Sequence, residues 1–201
     1  MKIILVRHGQ TEGNREHRFI GGRSDEPVTK EGILTLEKRI YPKVEHVFSS
    51  PMKRCIQTAK VVFGEEDPEI IEEFRECDFG ILEGKTHEEL MGDPLYDTFV
   101  ESGGELPFPE GEAIPDFNAR CVKALQKAVE IGRERGYQSI GCTVHGGVIM
   151  AVMSQMVKGS DYYAWNVENG EGYIVEIDEE KWKEGHLDGT VTGGTLHRIY
   201  T

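Results

Sequence analysis

Arg7 and His8 stand side by side directly after the apolar run Ile3-Ile4-Leu5-Val6, and Gly9 follows them. An arginine fork neutralises oxyanions bidentately, and a neutral imidazole nitrogen is a nucleophile, so the pair suits gripping an anion and attacking it. The combination recurs further along the chain. Ser49-Ser50-Pro51 precedes Arg54, and His145 precedes Gly146-Gly147. Two arginines and two histidines around one anion point to phosphoryl transfer, with one imidazole as the nucleophile.

Such distant side chains need a scaffold that brings them together. "KIILVR" (2–7) is too short and too β-branched to be anything but a buried strand, and "EHVFSS" (45–50) and "SIGCTVH" (139–145) read the same way. Helical spacing appears at 31–40, 51–64, 115–136 and 147–159. In the second of these, Ser50 is the expected N-cap, Pro51 the first helical residue and Gly64 the residue past the end. "GYIVEID" (172–178) and "TLHRIY" (195–200) flank a Gly-rich turn and read as a terminal hairpin. This alternation predicts a single α/β domain over 1–201, a three-layer α/β/α sandwich with a mainly parallel central sheet. Residues 84–114 break the rhythm and read as a lid-like insertion over one end of the sheet. In open α/β sheets ligands sit beyond the carboxyl ends of the strands, where helix N-termini present free N–H groups. Each of the three cation-bearing segments falls at such a strand end.

"LVRHGQTEGN", "SSPMKRCIQTA", "ECDFGILEG" and "VHGG" together resemble the histidine phosphatase superfamily, also called phosphoglycerate mutase-like, in order and from about residue 3 to about 150. The resemblance implies that His8 is the phosphorylated nucleophile and that Arg7, Arg54 and His145 are the other phosphate-pocket residues. Asn14 matches the family's asparagine after Arg-His-Gly, which contacts the transferred phosphoryl group. Glu76 matches the position of the general acid, with Asp78 and Glu83 as nearby alternatives. Gly146, Gly21, Arg18 and Arg23 complete the candidate substrate-binding set. "ECDFGILEGKTHEEL" looks like the α-ribazole phosphatase branch, whose motifs overlap those of broad-specificity members. Gln10 stands where an acidic residue is common in the family, Gly13 where a tryptophan often precedes the asparagine, and Ala113 where a serine is usual.

The implied activity is cofactor-independent hydrolysis of a small phosphomonoester through phosphohistidine. Two other readings stand beside it: a phosphoglycerate mutase-type transfer, and a non-catalytic phospho-ligand binding module on the same fold. The stretch "NREHRFIGGRSDEPVTKEG" (14–32) resembles the mutase region, but the chain is short for such a mutase, and Gly22 replaces a typical tryptophan. Residues 84–114 carry eight acids and one base, Lys85. A lid of that charge should repel a second phosphate even with Arg18 and Arg23 opposite, and Tyr96, Phe99 and Phe108 suit a neutral or partly apolar leaving group.

The bulk numbers narrow the partners. The 201 residues carry a formal net charge of −13, with 38% hydrophobic and 29% charged residues. An acidic body of that kind should repel nucleic acid and anionic membrane, which makes a local cluster of arginines the more telling. Cys55, Cys77, Cys121 and Cys142 show no Cys-x-x-Cys spacing, so reduced thiols and a cytoplasmic setting are expected. His17, His46, His87, His186 and His197 show no ligand spacing, and they read as surface residues. No metal is expected, because the arginines and His145 supply the charge. A monomer or homodimer acting on a small-molecule phosphomonoester is the expectation.

Overall fold

Ile3, Ile4, Leu5 and Val6 are all buried, so the strand they form, β1 (Lys2–Arg7), is covered on both faces. The computed structural model describes residues 1–103, 106–157, 159–178, Trp182 and the backbone of 189–195. After β1 come α1 (Glu12–Arg15), α2 (Lys30–Glu37), β2 (His46–Ser49), α3 (Lys53–Phe63) and β3 (Glu69–Ile70). Then follow α4 (His87–Leu90), α5 (Pro94–Glu101), α6 (Ile114–Glu134), β4 (Ser139–Val144), α7 (Gly146–Met156), β5 (Gly172–Ile177) and β6 (Gly189–Thr195). Short 3-10 turns lie at Glu72–Phe74, Gly80–Leu82 and Tyr162–Trp165.

The strand order is β3-β2-β4-β1-β5-β6. The first four run parallel, β5 adds antiparallel to β1, and β6 adds antiparallel to β5. The two-residue alternation of β1 divides the layers. Ile3 and Leu5 enter the main core with Ala124, Leu125 and Ala128 of α6 and with Val148, Ile149 and Val152 of α7. Ile4 and Val6 face the other way, onto Tyr41, Val44 and Val62 and Phe63 of α3. The expected three-layer α/β sandwich with a mainly parallel sheet is therefore what the chain forms. Gly141 on β4 leaves room for the Phe63 ring, since a Cβ there would lie 2.8 Å from it.

Three local expectations need correction. Helix α3 begins at Lys53 with Met52 as its N-cap, not at Pro51 with Ser50. Its first amide is capped from a distance, the Lys53 N–H donating to Asp25 Oδ1 at 2.8 Å, which frees Ser50 for another partner. Gly64 does end the helix, with φ 71. The second hairpin strand already spans 189–195, running through Gly193-Gly194 within the expected Gly-rich turn; the rest of the expected 195–200 strand lies outside the described residues. Thr190, Val191 and Thr192 supply the β-branched pattern there. His46 is half-buried instead of a surface group, whereas His87 is exposed as expected. His46 stacks on Tyr137 at 5.1 Å and pairs with Glu69, while His87 Nδ1 and the Tyr96 hydroxyl share a hydrogen bond at 2.7 Å.

Residues 84–114 hold α4 and α5 over a small apolar cluster of their own. Leu82, Leu90 and Tyr96 are its buried centre, with Phe19, Phe79, Ile81, Phe99 and Phe108 packed around them. Tyr96 thus belongs to the inside of this segment and not to a leaving-group wall.

Candidate active site

The carboxyl ends of β1, β4 and β2 are level with one another, because Arg7 pairs with Val144 and Ser49 with Thr143. The residue after each strand continues the alignment: His8 N–H donates to Val144 O at 2.9 Å, and Ser50 N–H to Thr143 O at 3.0 Å. In-register parallel pairing therefore delivers His8, Ser50 and His145 to one edge of the sheet. The His8 and His145 rings meet edge to face, 5.2 Å between centroids.

His8 is 3% exposed. Its Nδ1 lies 2.7 Å from the Gly9 carbonyl. A carbonyl only accepts, so Nδ1 carries the hydrogen and Nε2 keeps its lone pair. Burial, then the nearby Arg54 and Arg7 charges, hold this imidazole well below its ordinary pKa. The ring is neutral in the free protein.

Arg54 is the largest fully buried side chain among the described residues. Its Nε donates to His145 Nδ1 at 3.3 Å, Nη1 to Ser24 O at 2.6 Å and Nη2 to Gly21 O at 3.0 Å. Three of its five N–H groups are thereby used, and two remain for a ligand. Since the guanidinium only donates, His145 accepts on Nδ1 and presents Nε2–H to Ser50 Oγ, 2.8 Å away. His145 too is held well below its ordinary pKa, by burial first and then by Arg54. Arg7 donates from Nη1 to Val167 O at 2.6 Å, and its buried Nε has no partner among the described residues.

Glu76 is buried, and its two oxygens accept the N–H groups of Cys77 at 3.0 Å and Gly147 at 3.1 Å. Burial raises its pKa, and those two hydrogen bonds with the Arg54 and Arg7 charges only partly offset the shift. Arg120 fixes the loop that carries it, donating to the carbonyls of Glu73, Arg75 and Glu76 while its fork grips Glu112. The alternative carboxylates are occupied elsewhere. Glu83 accepts from the Gly21, Arg23 and Phe79 amides and from Ser24 Oγ; Asp78 accepts from Gly80 N–H and pairs with Arg23 at 2.7 Å.

Asn14 closes α1 onto Thr11 as a reciprocal cap and meets Asn169 through its Oδ1. Gly146 lies against Arg7, where an added Cβ would stand 3.4 Å from Nε. Gly21 serves through its backbone, bridging Glu83 and Arg54. Arg18 and Arg23 are placed differently from the expectation of loose pocket charges. Arg18 pairs with Glu16 at 2.6 Å and Glu89 at 2.7 Å, while Arg23 pairs with Asp78 and donates from Nη2 to the Glu110 carbonyl, so both fasten the 84–114 region to the body. Sequence reasoning gave Ser50 only a capping role and did not assign one to Gly147, Arg120 or Asn169. Of these, Gly147 had a signal in the doubled glycine after His145.

The family model of the histidine phosphatase superfamily, branch 1, matches residues 3–188. The chain belongs to the histidine phosphatase superfamily. It is therefore an enzyme of the histidine phosphatase kind. A 2,3-bisphosphoglycerate-dependent phosphoglycerate mutase of Rhizobium etli is 30% identical over 75% of this chain and 77% of its own. A broad-specificity phosphatase of Saccharomyces cerevisiae is 26% identical over 83% of this chain and 74% of its own. Among solved structures, a histidine-to-alanine mutant of the Entamoeba histolytica phosphoserine phosphatase, in complex with phosphoserine, superposes with a TM-score of 0.73. It shares 25% identity and covers 96% of this chain and 95% of that one.

Proposed function

We propose that the protein hydrolyses small phosphomonoesters through a phosphohistidine on His8. The observation that carries this reading is the His8 ring: neutral, tied to the Gly9 carbonyl through Nδ1, and left with one basic nitrogen beside the buried Arg54 and the half-buried Arg7. The Nε2 lone pair attacks phosphorus while Arg7 and Arg54 neutralise the non-bridging oxygens. The P–O bond to the leaving alcohol breaks, and Glu76, whose buried carboxyl is shifted toward its protonated form, gives its proton to the departing alkoxide. The resulting carboxylate then takes a proton from water as that water attacks phosphorus. Inorganic phosphate leaves and His8 returns to its neutral form.

Residues 84–114 act as a lid in this reading, and their charge favours hydrolysis over mutase chemistry. Arg18 and Arg23 are both matched by carboxylates, so they offer little grip to a second phosphate. A substrate with one phosphate and an uncharged or weakly charged leaving group fits best. The likeness to a broad-specificity phosphatase and a phosphoserine phosphatase supports the same choice. The test is a panel of small phosphomonoesters with released phosphate as readout, run with and without 2,3-bisphosphoglycerate. Phosphate release independent of the bisphosphate is expected. Rapid interconversion of 2- and 3-phosphoglycerate with hydrolysis as a minor side reaction would replace this reading by the mutase one.

A further inference from the structure

We propose that Asn169 is a positioning residue, which fixes the Asn14 amide so that its N–H groups face the phosphoryl group held at His8. The inference rests on the reading of the His8 pocket given above. Asn169 sits in the turn just before β5, far in sequence from the four motifs, and its Nδ2 makes two hydrogen bonds. One goes to the His8 carbonyl at 3.0 Å, the other to Asn14 Oδ1 at 3.1 Å.

The assignment of atoms follows from what each partner can do. The His8 carbonyl only accepts, so the Asn169 atom beside it is the nitrogen. Asn14 receives a second donor, the Thr11 backbone N–H at 3.2 Å, so the atom it turns to Asn169 is its oxygen. Two donors on one oxygen leave the Asn14 nitrogen pointing away from both, and among the described residues it has no protein partner. Reversing that amide would set its oxygen against an anion.

The turn that carries Asn169 is braced from several sides. Gly170 N–H donates to the carbonyls of both Arg7, at 3.0 Å, and His8, at 3.2 Å. Arg39 Nη1 donates to Asn169 O at 2.9 Å and the Tyr41 hydroxyl to Gly170 O at 2.8 Å. Gly170 adopts φ 76, and a Cβ there would meet the Leu36 side chain at 2.6 Å. The brace therefore spans from the end of α2 to the nucleophile, and the Asn169 side chain is its contact with both His8 and Asn14.

The experiment compares the wild type, Asn169→Ala, Asn169→Asp, Asn14→Ala and the two double variants. Readouts are kcat and KM on p-nitrophenyl phosphate, orthovanadate affinity and thermal stability. Asn169→Ala should lower kcat/KM and vanadate affinity about tenfold, and Asn169→Asp, which sets a carboxylate against two oxygens, about 10²-fold. In the Asn14→Ala background the further loss should shrink to about twofold or less, because the effect travels through Asn14. A generic structural role would not vanish in that background. If Asn169→Ala fails to fold, Asn169→Asp keeps the shape and answers in the same two backgrounds. Unchanged activity and vanadate affinity in both variants, or an equal loss with and without Asn14, would overturn the proposal. A wild-type protein that binds vanadate but hydrolyses no monoester would overturn the catalytic reading instead, and vanadate affinity alone would still decide the role of Asn169.

Discussion

Glu76 and Gly147 are matched in a way that tolerates no side chain: the Gly147 N–H donates to Glu76 Oε2 at 3.1 Å, and a Cβ at 147 would lie 2.5 Å from Oε1. The first turn of α7 thus holds the carboxyl group by an open amide and by the absence of a methyl. Gly147→Ala should displace the carboxyl and lower kcat by about 10²-fold, with a modest loss of thermal stability. Steady-state kinetics beside a thermal melt checks it; wild-type kcat in the variant would mean that the Glu76 position is not critical.

His8→Ala should abolish turnover and the acid-labile phosphoryl label on the protein. The fold should survive, because the ring lies at the strand end against His145 and the Gly9 carbonyl, outside the apolar core clusters. Radiolabelled substrate, quenched in alkali and in acid, reads the label directly. More than a small residue of activity in the variant would point to a different nucleophile.

Glu76→Gln should cost about 10²–10⁴ in rate with alkyl phosphates, whose leaving groups need a proton. With p-nitrophenyl phosphate the loss should be far smaller, since nitrophenolate departs unaided. Equal losses on both substrates would remove Glu76 from the proton-donor role, and the occupied Asp78 and Glu83 would have to be reconsidered.

Stability should fall as the pH drops from about 7 to about 5. His8 and His145 are both held well below the ordinary value of 6.5. The unfolded chain therefore takes up two protons below that value that the folded protein refuses, each worth up to about 1.4 kcal/mol per pH unit. Glu76 works in the opposite sense. Its raised pKa lets the folded form keep a proton above 4.5, so its contribution is present at low pH and lost as pH rises. Two protons outweigh one. Thermal melts across this range should show the decline, with a shallower slope in His145→Asn; a flat profile would contradict the neutral assignment of the histidines.

What the sequence alone determined was local. The apolar run before Arg7-His8, the helical spacing at 115–136 and the four ordered motifs carry their information in neighbouring residues, and they located β1, α6, His8, Arg54, Glu76 and His145. Tertiary structure decided which polar groups meet, because that depends on sheet register and on segments far apart in the chain. Asp25 caps α3 across 28 positions, Ser50 turns to His145 across 95, and Asn169 reaches His8 across 161. Arg18 and Arg23 illustrate the same limit in reverse. Their charges are legible in the sequence, but only the fold brings Glu89 and Asp78 close enough to neutralise them. Exposed charges farther apart than about 8 Å are largely screened in physiological salt, so the role of a charge is set by spatial neighbours that no run of adjacent residues encodes.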